Sequence, residues 1–147
     1  QRLNMMKELR ALSKTERFAE PLRLLMTVPG IGQVSGLTIL SEIDDIARFK
    51  DASHLASYVG IVPMCYSSGE HDGTGNLTVR RHAQLRWLIV ESAWIAVRKD
   101  PVLSAAYVEY CRKMKPSKAI IKVARRIINR IYFVMKHQHP YVNCFVS

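Results

Sequence analysis

The chain has 147 residues, 48% of them hydrophobic, and a net charge of +10. That length suits one domain with a sizeable core, and that composition places the chain among globular proteins, with disorder not the default. The charge is unevenly placed: residues 1–75 carry 8 Lys and Arg against 9 Asp and Glu, and residues 76–136 carry 14 against 3, so the second half is expected to meet a polyanion.

Met5, Met6, Leu9 and Leu12 fall on one face of a helix, with Lys7, Glu8 and Arg10 outside it. Residues 1–19 read as the end of a linking helix able to enter a coiled coil. Because Gln1 stands where an initiator methionine would, the chain reads as the C-terminal piece of a longer protein. A second helix is expected to start at Pro21, a residue favoured in a first turn, and to carry Leu22, Leu25 and Met26.

Val28-Pro29-Gly30-Ile31-Gly32 then reads as a hairpin that opens the next helix at Gln33. Proline restricts the residue before it, and the two glycines reach backbone angles closed to other residues. Bare amides in the turn, with the unpaired amides and positive dipole end of the following helix, would suit a phosphate oxygen. The spacing resembles the helix-hairpin-helix element, so Pro29, Gly30, Ile31, Gly32 and Gln33 are candidate backbone-binding residues. The helix is expected to end near Glu42, Asp44-Asp45 to turn, and Asp51 to cap a short helix over 52–59 stopped by Gly60. Residues 20–60 would then form one lobe.

Residues 61–79 are the least regular stretch, with Pro63, Gly69, Gly73 and Gly75; a loop of that length is usually functional or disordered. Residues 64–66 and 77–79 are short enough apolar runs to pair as a very small β-hairpin. Helices return over 80–137. One is expected from Arg81 to Arg98, in which Trp87 and Trp94 read as core residues rather than base-stacking platforms. Asp100-Pro101 starts another, and Lys115-Pro116-Ser117 breaks it, with Ser117 capping a final helix. There Ile120, Val123, Ala124, Ile127, Ile131 and Val134 form an apolar stripe, and Lys118, Lys122, Arg125, Arg126 and Arg130 lie largely outside it. The fold class expected is all-α.

Cys65, Cys111 and Cys144 are far apart with no Cys-x-x-Cys pair, so neither a disulfide framework nor a zinc site is indicated and a reducing cytoplasm is expected. No apolar run approaches the roughly 20 residues a bilayer requires, and no secretory signal is evident. The consecutive Glu70, His71 and Asp72 suit a solvated turn better than a metal site, so no metal is assigned to this chain.

A larger resemblance joins these pieces. Pro-Gly-Ile-Gly at 29–32, Glu42-Ile43, Arg48-Phe49, His54-Leu55-Ala56-Ser57-Tyr58-Val59-Gly60-Ile61-Val62-Pro63, Ser68-Gly69 and Leu85-Arg86, in that order, resemble the C-terminal domain of insertion-sequence one-ten transposases. These are related to pilin-gene-inverting recombinases. The likeness spans about residues 20–141, with one departure: Arg81-His82-Ala83-Gln84 stands where the family commonly has Arg-Gly-Asn.

The resemblance implies a serine nucleophile in the irregular loop, mapping onto Ser68 with Ser67 as the adjacent alternative. It also implies a resolvase-like N-terminal domain carrying carboxylates and a divalent metal such as magnesium, a structured bridge RNA that guides DNA choice, and a homo-oligomer. Arg80, Arg81 and Arg86, which follow the loop, are candidates to neutralise the reacting phosphate. Lys118, Lys122, Arg125 and Arg126 are candidates to contact backbone phosphates. Alone, these residues are expected to bind DNA without recombining it. The alternative is a non-catalytic helix-hairpin-helix module that only holds nucleic acid.

Overall fold

The computed structural model describes residues 2–13, 15–61 and 76–142, and every regular element among them is helical. The order is α1 (Arg2–Ser13), α2 (Glu16–Leu25), α3 (Gln33–Ile43), a 3₁₀ turn (Ile46–Arg48), α4 (Ala52–Val59), α5 (Asn76–Lys99), α6 (Pro101–Cys111) and α7 (Pro116–His137). The all-α expectation holds.

α7 is the centre of the fold because its apolar stripe is nearly unbroken. Ala119, Ile120, Val123, Ala124, Ile127, Ile128, Ile131, Val134 and Met135 are all buried, and α2, α4, α5, α6 and the 3₁₀ turn pack around them. Each fully buried Ile or Leu contributes about 1.5–3 kcal/mol. The same core continues through Leu25 and Leu37 of the hairpin pair, Leu55 of α4 and Leu85 and Ile89 of α5.

Sequence cues set several boundaries directly. Asp51 accepts from the His54 amide at 3.0 Å to start α4, and Gly60 ends it in the left-handed region at φ +88°. Asp100 accepts from the Val102 amide at 3.0 Å, with Pro101 in the first turn of α6.

Three expectations are corrected. α2 starts at Glu16, five residues before Pro21; the proline removes only the bond to the Arg17 carbonyl, and the earlier turn is held by Phe18 and Ala19 amides donating to the Thr15 carbonyl. Residues 77–79 are the first turn of α5 rather than a strand, so that helix begins at Asn76 and not Arg81. Lys115, not Ser117, is the N-cap of α7, because Pro116 already supplies a helical φ at the first position. One element was not expected at all, the 3₁₀ turn after Asp45, whose carboxylate accepts from the Ala47 amide at 3.0 Å. Residues 64–66 lie outside the described residues.

Candidate nucleic-acid interface

The hairpin between α2 and α3 is tight and internally bonded. The Ile31 amide donates to the Val28 carbonyl at 3.1 Å, and the Gly32 amide donates to Ser35 Oγ at 2.9 Å. Gly30 has φ +95°, and a Cβ built there would collide with the Ser92 carbonyl oxygen of α5. Only glycine lets this turn dock against the long helix.

The expectation of bare turn amides is therefore corrected at Ile31 and Gly32. Pro29 has no amide hydrogen, and the Ile31 side chain is buried in the core. The positive dipole end that favours an anion is the start of α3, where Gln33 is the first helical residue. Met26 and Val34, at the two helix ends flanking the turn, are exposed.

Arg80 and Arg81 fall in the second turn of α5. Arg86, further along the same helix, is exposed, and its Nε donates to the Gly60 carbonyl at 3.2 Å. That bond joins α5 to the C-terminal end of α4 across 26 residues of chain, so Arg86 is partly a structural clasp. Arg48 acts similarly: it donates to the Ile43 carbonyl at 2.7 Å and lies over the Phe49 and Tyr58 rings. The Arg48-Phe49 pair thus holds the end of α3.

α7 carries six lysines and arginines and no carboxylate. Lys118, Lys122, Arg125 and Lys136 follow helical spacing on the side opposite the buried stripe, and Arg126 lies at its edge. Sequence reasoning omitted Lys136, although continuing the same spacing would have found it. Lys122 stands over the Tyr110 ring and Lys136 over Tyr132. Arg125 donates to Ser53 Oγ at 2.9 Å and to Asn129 at 3.3 Å, linking this face to the start of α4. Among the described residues, none of these five cations pairs with a carboxylate. Arg130 is the exception, bonded to Asp100 at 2.8 Å.

Trp87 does not join the core. It keeps 62% of its surface in solvent, whereas Trp94 packs edge-on against Tyr107 at 5.6 Å between centroids. The signal was available in the spacing, since Leu85, Ile89 and Ser92 define the buried side of α5 and Trp87 falls away from it.

Ser67 and Ser68 lie outside the described residues, as do Cys65, Glu70, His71 and Asp72. Among the described residues, no three of His, Cys, Asp and Glu come together as a metal site, and no helix is long and apolar enough to cross a membrane.

Comparison with known proteins follows the same segments. Residues 22–108 match the family described as Transposase IS116/IS110/IS902. The chain is 29% identical over 134 residues to the insertion element IS116 uncharacterized 44.8 kDa protein of Streptomyces clavuligerus, covering 88% of this chain and 32% of that protein. It is 28% identical over 91 residues to the transposase for insertion sequence element IS1111A of Coxiella burnetii, covering 62% and 24%. It is also 28% identical over 121 residues to the pilin gene-inverting protein of Moraxella bovis, covering 80% and 38%. The chain thus spans between about a quarter and two fifths of the length of these relatives.

Proposed function

The chain belongs to the Transposase IS116/IS110/IS902 family, and we propose that it is the serine-bearing, backbone-gripping part of a DNA transposase or site-specific recombinase. The observation that carries the binding half of this reading is the α7 face, where Lys118, Lys122, Arg125, Arg126 and Lys136 stand on a helix without a single carboxylate. Like charges gathered without counter-ions repel one another in the free protein, and phosphates of a polynucleotide relieve that repulsion. The start of α3, with its positive dipole end, adds a second phosphate contact beside Gly32 and Gln33.

For the chemical half, the Ser68 hydroxyl attacks a DNA phosphodiester. An Oγ–P bond forms as the P–O bond to one deoxyribose oxygen breaks; the serine proton passes to a base and the departing sugar oxygen gains one. The strand is then held as a phosphoserine ester, which conserves the bond energy, so that attack by a different sugar hydroxyl restores both the serine and a continuous strand without ATP. Arg80, Arg81 and Arg86, just beyond the serine segment in sequence, supply charge for the phosphate as it becomes more anionic.

The donors for a divalent metal are proposed to lie in a preceding domain, as the family resemblance implies. Such a metal would stabilise phosphate charge. A bridge RNA that guides DNA choice, a homo-oligomer holding several DNA ends, and a cytoplasmic setting complete the proposal. Its support is the family membership and the pilin gene-inverting relatives.

The test is strand transfer by the full-length protein carrying Ser68→Ala or Ser67→Ala, with a search for DNA linked to serine. Ser68→Ala is expected to abolish both the linked species and recombination while leaving DNA affinity within about twofold. Undiminished strand transfer by Ser68→Ala removes it as the nucleophile. If both variants retain full activity, only the non-catalytic binding module survives.

A further inference from the structure

Trp87 exposes 62% of its surface on a helix that otherwise hides its apolar side well. An indole this exposed forfeits most of the burial that ordinarily places tryptophan inside. Its neighbours one turn away are Ala83, Gln84 and Glu91, all exposed, and the half-buried Val90. Among the described residues of α5, no second large exposed apolar side chain joins the ring in a patch of the kind a protein partner uses. Neither its ring nor its indole N–H has a partner among the described residues.

The surrounding charge selects the partner. α5 carries Arg80, Arg81, Arg86, Arg98 and Lys99 against the single carboxylate of Glu91. A second copy of the chain would bring the same positive excess to the contact and be repelled. Arg86 directly precedes Trp87, and the bond from its Nε to the Gly60 carbonyl fixes the guanidinium while its two terminal amino groups have no partner among the described residues. An exposed planar ring on a helix whose cations outnumber its carboxylates suits a nucleotide strand: the ring stacks on an unpaired base, and cations of the helix meet phosphates along the strand. In a closed duplex the base faces are occupied by their neighbours, so this pairing requires a single-stranded stretch.

We propose that Trp87 is a stacking platform for an unpaired base of a single nucleic-acid strand lying across α5. This rests on the nucleic-acid-binding reading above and adds to it a residue and a strand state.

The experiment measures affinity of the full-length protein, by fluorescence anisotropy, for a blunt DNA duplex, the same duplex with a single-stranded DNA tail, and that duplex with an RNA tail. Trp87→Ala is expected to weaken binding to at least one tailed probe about tenfold, to leave the blunt duplex within twofold, and to leave the salt dependence unchanged. Trp87→Phe, which keeps a ring, is expected to recover most of the loss. Loss confined to the RNA tail or to the DNA tail supports the proposal and identifies the strand. Equal binding of every probe by wild type and Trp87→Ala overturns it, as does an equal loss on all of them. Wild-type protein that binds no probe at low salt overturns the underlying reading as well, whereas a duplex bound normally with no effect of Trp87→Ala overturns this proposal alone.

Discussion

Arg130 Nη1 donates to Asp100 Oδ2 at 2.8 Å, with the carboxylate fully shielded from solvent and the arginine side chain 12% exposed. The same aspartate accepts from the Val102 amide at the start of α6, and the same guanidinium lies 4.3 Å from the Tyr141 ring centroid. One pair therefore fixes the start of α6 and the middle of α7, and places the residues after α7 against them. Arg130 is thereby separated in role from the other cations of its helix.

Asp100→Ala removes both the cap and the counter-ion. It is expected to destabilise the fold by about 3–5 kcal/mol, because a guanidinium left mostly buried has no compensating charge. Urea unfolding measures this directly. A loss below about 1 kcal/mol would contradict the structural role given to the pair.

Gly30 and Gly32 should respond oppositely to an added side chain. Gly30→Ala must hold an L-residue at φ +95° with its Cβ against the Ser92 carbonyl, and is expected to lose about 3 kcal/mol or more. Gly32 has φ −108° as the N-cap of α3, with open space where a Cβ would go. Gly32→Ser is expected to be neutral or to stabilise by a few tenths of a kcal/mol, roughly the margin of serine over glycine at such a position. Thermal melts of the two variants decide it, and equal melting temperatures would mean the hairpin does not dock on α5 as described.

Acid should loosen the start of α4. Asp51 accepts from the His54 ring at 2.7 Å and from its amide at 3.0 Å, and these bonds, the ring's foremost, hold its carboxyl below the ordinary 3.8. A lowered carboxyl pKa contributes stability that is complete above the unfolded value and is lost as pH falls through the folded one. The His54 amide resonance is therefore expected to shift, and its exchange protection to fall, below about pH 4. Asp51→Asn, which still caps, should remove that pH step. A step of equal size in Asp51→Asn would assign it to another group.

Much of the fold is readable along the chain because it is local. Asp51 with Gly60, Asp100 with Pro101, and the α7 stripe each declare themselves within one or two turns. Pro21 misleads because proline at a first turn and proline tolerated inside a helix look alike until the packing of the preceding turn is known. The two bonds that redefine the interface, Arg86 to Gly60 and Arg125 to Ser53, join residues 26 and 72 apart, so no spacing rule reaches them. The turn amides escape sequence reasoning for a related reason: whether an amide is bare depends on the carbonyl or hydroxyl that folds back to meet it, here Val28 and Ser35. The assignment of Ser68 rests on the ordered motifs of the resemblance rather than on geometry.

The proposed grip of the α7 face on a polynucleotide is electrostatic and runs through phosphates, so the salt dependence of binding is its most immediate readout. With Lys118, Lys122, Arg125 and Arg126 all changed to Gln in the full-length protein, the slope of log affinity against log salt on duplex DNA is expected to flatten by about 3 to 4 units, near 0.9 for each phosphate no longer neutralised. The weakening should be uniform across unrelated sequences. A slope unchanged from wild type would mean that this face does not hold phosphates.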